Sequence, residues 1–205
     1  AWEAYVTLSH AKFYCHDVLR ELYALAARRW PLRETRKSTP DFSYPTQLAT
    51  HVLVLYVHGR LSLEDDVAPL YERIADESAG RAMFRFVPYI AGTPALSAEQ
   101  TARLLAFWEW RVMHMAVAPE RHQDELQSFG AWFNVMKLRE AWALEQLAAV
   151  LALTGGAVSV GSSHTILKSL RTVTDDGVPR ALDCLNALVH GPSATNHIYW
   201  WGEDI

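Results

Sequence analysis

The sequence predicts an all-α protein built from stacked antiparallel helix pairs, a HEAT-like α-α superhelix, with an irregular helical bundle as the alternative. Three observations lead there. Apolar residues recur at three- and four-residue spacing through most of the chain, the signature of helices with one buried face. Eight tryptophans, eight tyrosines and seven phenylalanines stand against only ten glycines, an aromatic load suited to large side chains wedged between packed helices. Within LLAFWEWRVMHM, Trp108 and Trp110 point roughly 200° apart on a helix, so one flat core cannot hold both. A helix with neighbours on two sides can.

The 205 residues are read as one all-helical repeat-type domain, half apolar and large enough to bury a core. A formal charge of −4 excludes the whole chain as an electrostatic partner of nucleic acid or anionic lipid, so such binding would have to be local. Cys15 and Cys184 lie far apart without a CxxC, which argues against a zinc site or a disulfide framework and fits a reducing, cytoplasmic setting. Both cysteines read as small buried hydrophobes. No window approaches the roughly 18 apolar residues of a membrane span. The absence of an initiating methionine and the abrupt WWGEDI ending suggest a piece of a longer protein.

Trp2, Tyr5 and Val6 open a short helical segment, and Val18 to Trp30 continues the pattern until Pro31. Residues 31–45 form a proline-punctuated polar loop. Thr46–His58 is the next helix, stopped by Gly59. Asp65 and Asp66 supply an acidic start to another, with Val67, Leu70, Tyr71 and Ile74 on one stripe. A helix beginning at Ser78 should end or kink near Val87, ahead of Pro88. Ser97 and Gln100 have capping-box spacing, heading a helix through FWEWR to about Val117. Gln123–Met136 and Arg139–Leu153 form a pair closed by Gly155 and Gly156, with Trp132 and Trp142 expected on facing helices and Trp108, Trp110, Trp132 and Trp142 mostly buried. Ser162 or Ser163 caps a helix through Val173, and Pro179 sits in the first turn of a last one ending at His190 and Gly191. Only Val158–Val160 hints at extended structure.

Candidate chemistry is sparse. None of the nine histidines forms an i, i+3 or i, i+4 pair with another, so zincin-type metal binding is not expected. His51 and His58 share a face but lie about two turns, or roughly 10 Å, apart. His10, Cys15, His16 and Asp17 cluster in SHAKFYCHD, yet adjacent Cys15 and His16 diverge on a helix and would need a distant partner. A small helical enzyme would bring His10 or His16 to His51, with His58 and Asp65 nearby. TGGAVSVGSSHT, residues 154–165, lacks the endings of a phosphate loop and reads as an inter-helix connection. The acidic pairs Asp65–Asp66, Asp175–Asp176 and Glu203–Asp204 read as solvated caps. Arg28, Arg29, Arg33, Arg36 and Lys37 put five basic groups in a ten-residue stretch, the one candidate contact for phosphate or nucleic acid. No catalytic, cofactor or metal residue is assigned.

Taken together, WEAYVTLS, VLRELYALA, THVLVLYVHGRLSLEDD, LLAFWEWR, ELQSFGAWF with REAWALEQLAAVLALTGG, and ALDCLNALVHG before IYWW resemble the α-helical, HEAT/TPR-like C-terminal region of large bacterial multidomain STAND (NACHT-like) NTPases associated with antiviral defence. The resemblance implies a non-catalytic sensor or interaction segment, with ATP hydrolysis and effector chemistry elsewhere in the parent chain and no cofactor bound here. A protein or peptide partner is expected along a helical groove, and no membrane. Ile198, Tyr199, Trp200 and Trp201 form an apolar cluster suited to contact with the rest of the parent chain, a partner, or a second copy in a weak homodimer.

Overall fold

The computed structural model of the chain describes Glu21 and residues 44–91, 96–129 and 139–192. Those residues are all-α, with eight α-helices and no strand among them. They are α1 (Tyr44–Val57), α2 (Ala68–Tyr71), α3 (Asp76–Ala91), α4 (Ala98–Met115), α5 (Gln123–Gln127), α6 (Glu140–Thr154), α7 (Val160–Leu170) and α8 (Val178–His190). Among them no helix is long and apolar enough to cross a membrane. The chain divides into two compact units, the first holding residues 1–82 and 94–107 and the second 83–93 and 108–205.

In the first unit α1 is apolar nearly all round, and Leu48, Ala49, Val52, Leu53, Leu55, Tyr56 and Val57 are all buried. It stops where expected. Gly59 takes a left-handed φ of 74°, and the Gly59 and Arg60 N–H groups return to the Tyr56 and Leu55 carbonyls at 2.9 Å each, satisfying two orphan acceptors. The acidic segment begins with a π-helical turn, Leu63–Val67, before α2. Ser62 caps that turn by accepting the Asp65 N–H at 2.9 Å, and its own N–H donates to Asp66 at 2.8 Å. Val67, Leu70, Tyr71 and Ile74 are buried together as the spacing predicts. Phe107 meets Tyr71 edge-on at 5.4 Å and lies 6.4 Å from Tyr56.

The helix expected from Ser78 starts two residues earlier, at Asp76, and runs through Pro88 to Ala91. Pro88 does not end it: proline's fixed φ is itself helical, and the cost falls on the Phe84 carbonyl, which loses the N–H that residue 88 would otherwise donate. At the head of α4 the capping box is complete: Ser97 N–H donates to Gln100 Oε1 at 2.9 Å, and Gln100 N–H to Ser97 Oγ at 3.2 Å.

In the second unit, the predicted Gln123–Met136 helix ends at Gln127. The Ser128 and Phe129 N–H groups bond back only three residues, to the Glu125 and Leu126 carbonyls, which tightens and closes the turn. The cap of α7 is Ser159, three residues ahead of the expected Ser162, and its hydroxyl accepts the Ser162 N–H at 3.3 Å. Its extended backbone, with ψ near 153°, accounts for the local β signal without a strand.

α6 and α8 pack along their length. Glu140 accepts the Thr174 N–H and hydroxyl at 2.9 and 2.6 Å just before α8, and Glu145 pairs with Arg180 at 2.5 Å. Cys184 Sγ lies 3.9 Å from the Leu144 carbonyl, and Gly156 sits against Ala187 and Gly191. Contacts climb both helices in the same direction, so α6 and α8 are parallel, with α7 between them in sequence.

The glycines after α6 differ in kind. Both have left-handed φ, 61° at Gly155 and 83° at Gly156, but a Cβ at Gly155 would meet open space, whereas one at Gly156 would lie 2.2 Å from the Ala187 carbonyl oxygen. Gly155→Ala should therefore cost about 1 kcal/mol and Gly156→Ala at least about 3 kcal/mol. Urea unfolding of the two variants checks the difference; equal losses would contradict the close approach.

Candidate functional site

The most built polar feature lies within the second unit, where the second half of α4 meets α5. Along α4, Trp108, Val112 and Met115 are buried at helical spacing. Arg111 occupies the same stripe and is itself buried, its side chain 1 % exposed. Its partner is Glu125 of α5, equally enclosed: Arg111 Nε donates to Glu125 Oε1 at 2.8 Å and Nη2 to Oε2 at 2.5 Å. Both carboxylate oxygens are thus held by one guanidinium fork.

Aromatic and imidazole rings surround this pair. Trp108 stacks on Phe129 with centroids 4.3 Å apart, both buried. The Arg111 guanidinium lies 5.0 Å from the Trp110 ring centroid, within cation–π range. Trp110 then approaches His114, and His114 approaches His122, each pair at 5.8 Å. Burial holds the His122 imidazole below its ordinary protonation range, and the Arg111 charge adds to that; Glu125 and Glu120 oppose it, and His114 reinforces it. This resolves the paired tryptophans of α4. Trp108 is fully enclosed against Phe129, while Trp110 keeps some exposure beside its cation and imidazole. Trp142 likewise keeps some exposure, its Nε1 donating to Glu109 at 2.7 Å, and Trp132 lies outside the described residues.

Chemically, the Arg111–Glu125 pair ties α4 to α5, with the half-buried imidazoles of His114 and His122 beside it. A general base needs a carboxylate or imidazole free to reach a substrate proton. Glu125 is committed at both oxygens. Sequence reasoning missed the pair because its members are separated by 14 positions on different elements. The available signal was Arg111 itself, three residues after Trp108 and four before Met115 on an otherwise apolar stripe, a position that requires a buried anion.

The enzyme reading placed weight on His10, Cys15, His16, His51, His58 and Asp65. His10, Cys15 and His16 lie outside the described residues. His58 is exposed and 3.2 Å from Gln100 Nε2, and Asp65 is exposed at the Ser62-capped turn. Among the described residues, His51, His58 and Asp65 form no cluster with metal-ligand geometry. Cys184 is buried, and burial pushes its thiol up to about 11, consistent with a small apolar role. Gly155 and Gly156 terminate α6, as an inter-helix connection requires. The basic stretch Arg28, Arg29, Arg33, Arg36 and Lys37 and the apolar cluster Ile198, Tyr199, Trp200 and Trp201 lie outside the described residues. Family models, curated proteins and solved structures give no match to this chain.

Breaking the buried pair from one side, by Arg111→Met or Glu125→Gln, should cost about 3–5 kcal/mol, and Arg111→Met with Glu125→Leu should recover most of it. Urea unfolding of the two singles and the double checks this. A double variant as unstable as the sum of the singles would show that the pair does not act as a unit.

The low proton affinity of folded His122 also sets a pH dependence. Below the unfolded imidazole value of 6.5 the unfolded chain binds the proton more readily than the folded one, so stability is fully present above that pH and declines as pH falls toward the depressed folded value. The His58 imidazole, partly covered although the residue is largely exposed, carries a depression of the same direction, from that partial desolvation first and then from the Arg60 charge. His122→Gln should flatten the fall in the urea midpoint between about pH 7 and pH 5, leaving the residual slope from His58. An unchanged slope would contradict the assignment.

Proposed function

We propose that this chain is a non-catalytic helical-repeat interaction segment of a larger bacterial protein, and that the larger protein is a STAND-type antiviral NTPase in which this segment acts as sensor. The observation that carries the reading is the parallel packing of α6 on α8. Short connections make successive helices antiparallel, so a parallel contact between every second helix is what stacked helix pairs require. The all-α composition and the resemblance of the segments quoted from the sequence point the same way. Further support comes from where the polar groups go. The enclosed Arg111–Glu125 fork, Glu140 on the turn before α8 and Glu145 on Arg180 all tie one segment to another.

In this reading a protein or peptide partner is recognised along the helical surface, the rest of the parent chain supplies nucleotide hydrolysis, no cofactor is held here, and the setting is cytoplasmic. The test has two arms. The purified chain should hydrolyse no ATP above background, and the parent reading frame should encode a GxxxxGK[ST] phosphate loop upstream of residue 1. Measurable turnover by this chain, or a natural gene coding for these residues alone, would overturn the sensor assignment.

A further inference from the structure

α8 buries one face and leaves another bare. Ala181, Cys184 and Leu188 are buried on the side that meets α6. Away from that side, Val178 is 40 %, Leu182 58 % and Val189 38 % exposed, with Leu185 between them half-buried. These four aliphatic residues follow a four-three-four spacing, the alternation of a coiled-coil seam, and fall within an arc of about 60°. A seam of that spacing is complementary to another helix.

We propose that this seam is a self-association surface, in which α8 of one copy lies antiparallel on α8 of a second copy about a two-fold axis between Leu182 and Leu185. Charge arrangement selects this occupant. In that register Val178 faces the partner's Val189 and Leu182 the partner's Leu185, so every aliphatic residue meets an aliphatic residue. The exposed residues nearest the seam on its open flank, Pro179 and Asn186, are uncharged, and no like charges are brought together there. Beyond the ends of the seam, His190 of each copy comes beside the exposed Asp175 and Asp176 turn that precedes α8 in the other. His190 uses Nδ1 on the Asn186 carbonyl at 2.9 Å, which leaves Nε2 as the ring nitrogen not engaged by that contact. The C-terminal end of each helix also meets the N-terminal end of its partner, the favourable alignment of helix dipoles.

The size of the seam sets the strength. A single helix of 13 residues covers far less than the roughly 800 Å² per partner of a standard stable interface. Association is therefore weak, with monomer predominant at about 1 μM and dimer at several hundred μM. This inference is independent of the sensor reading, which concerns the parent chain and would survive its failure.

Sedimentation velocity of the whole 205-residue chain across that concentration range tests it. Leu182→Lys should abolish the dimer with an unchanged circular-dichroism spectrum, because Leu182 already stands in solvent. His190→Asp should weaken dimerisation several-fold, and adding Asp176→Lys to that variant should restore it. A chain that is monomeric at every concentration would overturn the proposal, and if Leu182→Lys then altered tryptophan emission, the seam would instead be read as a cover site for residues 198–201 of the same chain. A dimer indifferent to Leu182→Lys but lost on Trp200→Ala with Trp201→Ala would overturn it in favour of the aromatic cluster.

Discussion

A guanidinium and a carboxylate enclosed together constrain everything around them. Neither Arg111 nor Glu125 has water to fall back on, so each is tolerable only where the other stands, in plane and within hydrogen-bond reach. Such a pair adds little net stability over well-packed apolar side chains, but it makes alternative packings expensive. Turning α4 by one residue, or sliding α5 by one turn, would leave a bare charge in the core. The pair therefore acts as a selector of one arrangement, with the Trp108–Phe129 stack supplying the apolar enclosure that makes the selection stringent.

The same enclosure organises the α4 surface. With Nε and Nη2 of Arg111 on Glu125, its guanidinium also lies against the Trp110 ring, which is held at the margin beside His114 and His122. A charged, aromatic and imidazole strip therefore lies along the second half of α4 and the turn before α5. The ion pair of this strip is buried, while Trp110, His114 and His122 keep partial exposure.

Punctuation was the most legible part of the sequence. Gly59, the Ser97–Gln100 box, Gly155 and Pro179 each encode a local hydrogen-bond or φ requirement that few residues can meet, and each marks a helix end within a residue or two of its place. Periodicity likewise fixed the burial of Val67, Leu70, Tyr71 and Ile74. What failed depended on competition between local options. Ser159, Ser162 and Ser163 are all able to cap, and the choice fell to the residue whose backbone could remain extended. Gln123 onward has helical spacing, yet the turn closes at Ser128. The candidate site was least legible because it is defined by distance in space: Arg111 could be seen to need an anion, but nothing in the chain marks Glu125 above its many acidic neighbours. The exposed side of α8 was equally hidden, since spacing identifies apolar stripes without saying which one the fold will cover.

The seat of Gly156 against Ala187 and Gly191 has a mechanical meaning. Side-chain ridges on two parallel helices can in principle slip past one another by a turn and re-engage, the small sliding by which many helical layers accommodate load. Here backbone rests on backbone, and one turn earlier on α6 stand Leu151, Ala152 and Leu153, whose Cβ atoms do not fit where Gly156 lies. α6 and α8 are accordingly keyed against axial slip. A pull transmitted along this layer would be carried as by a strut, and any yielding would pass to the connections that flank it.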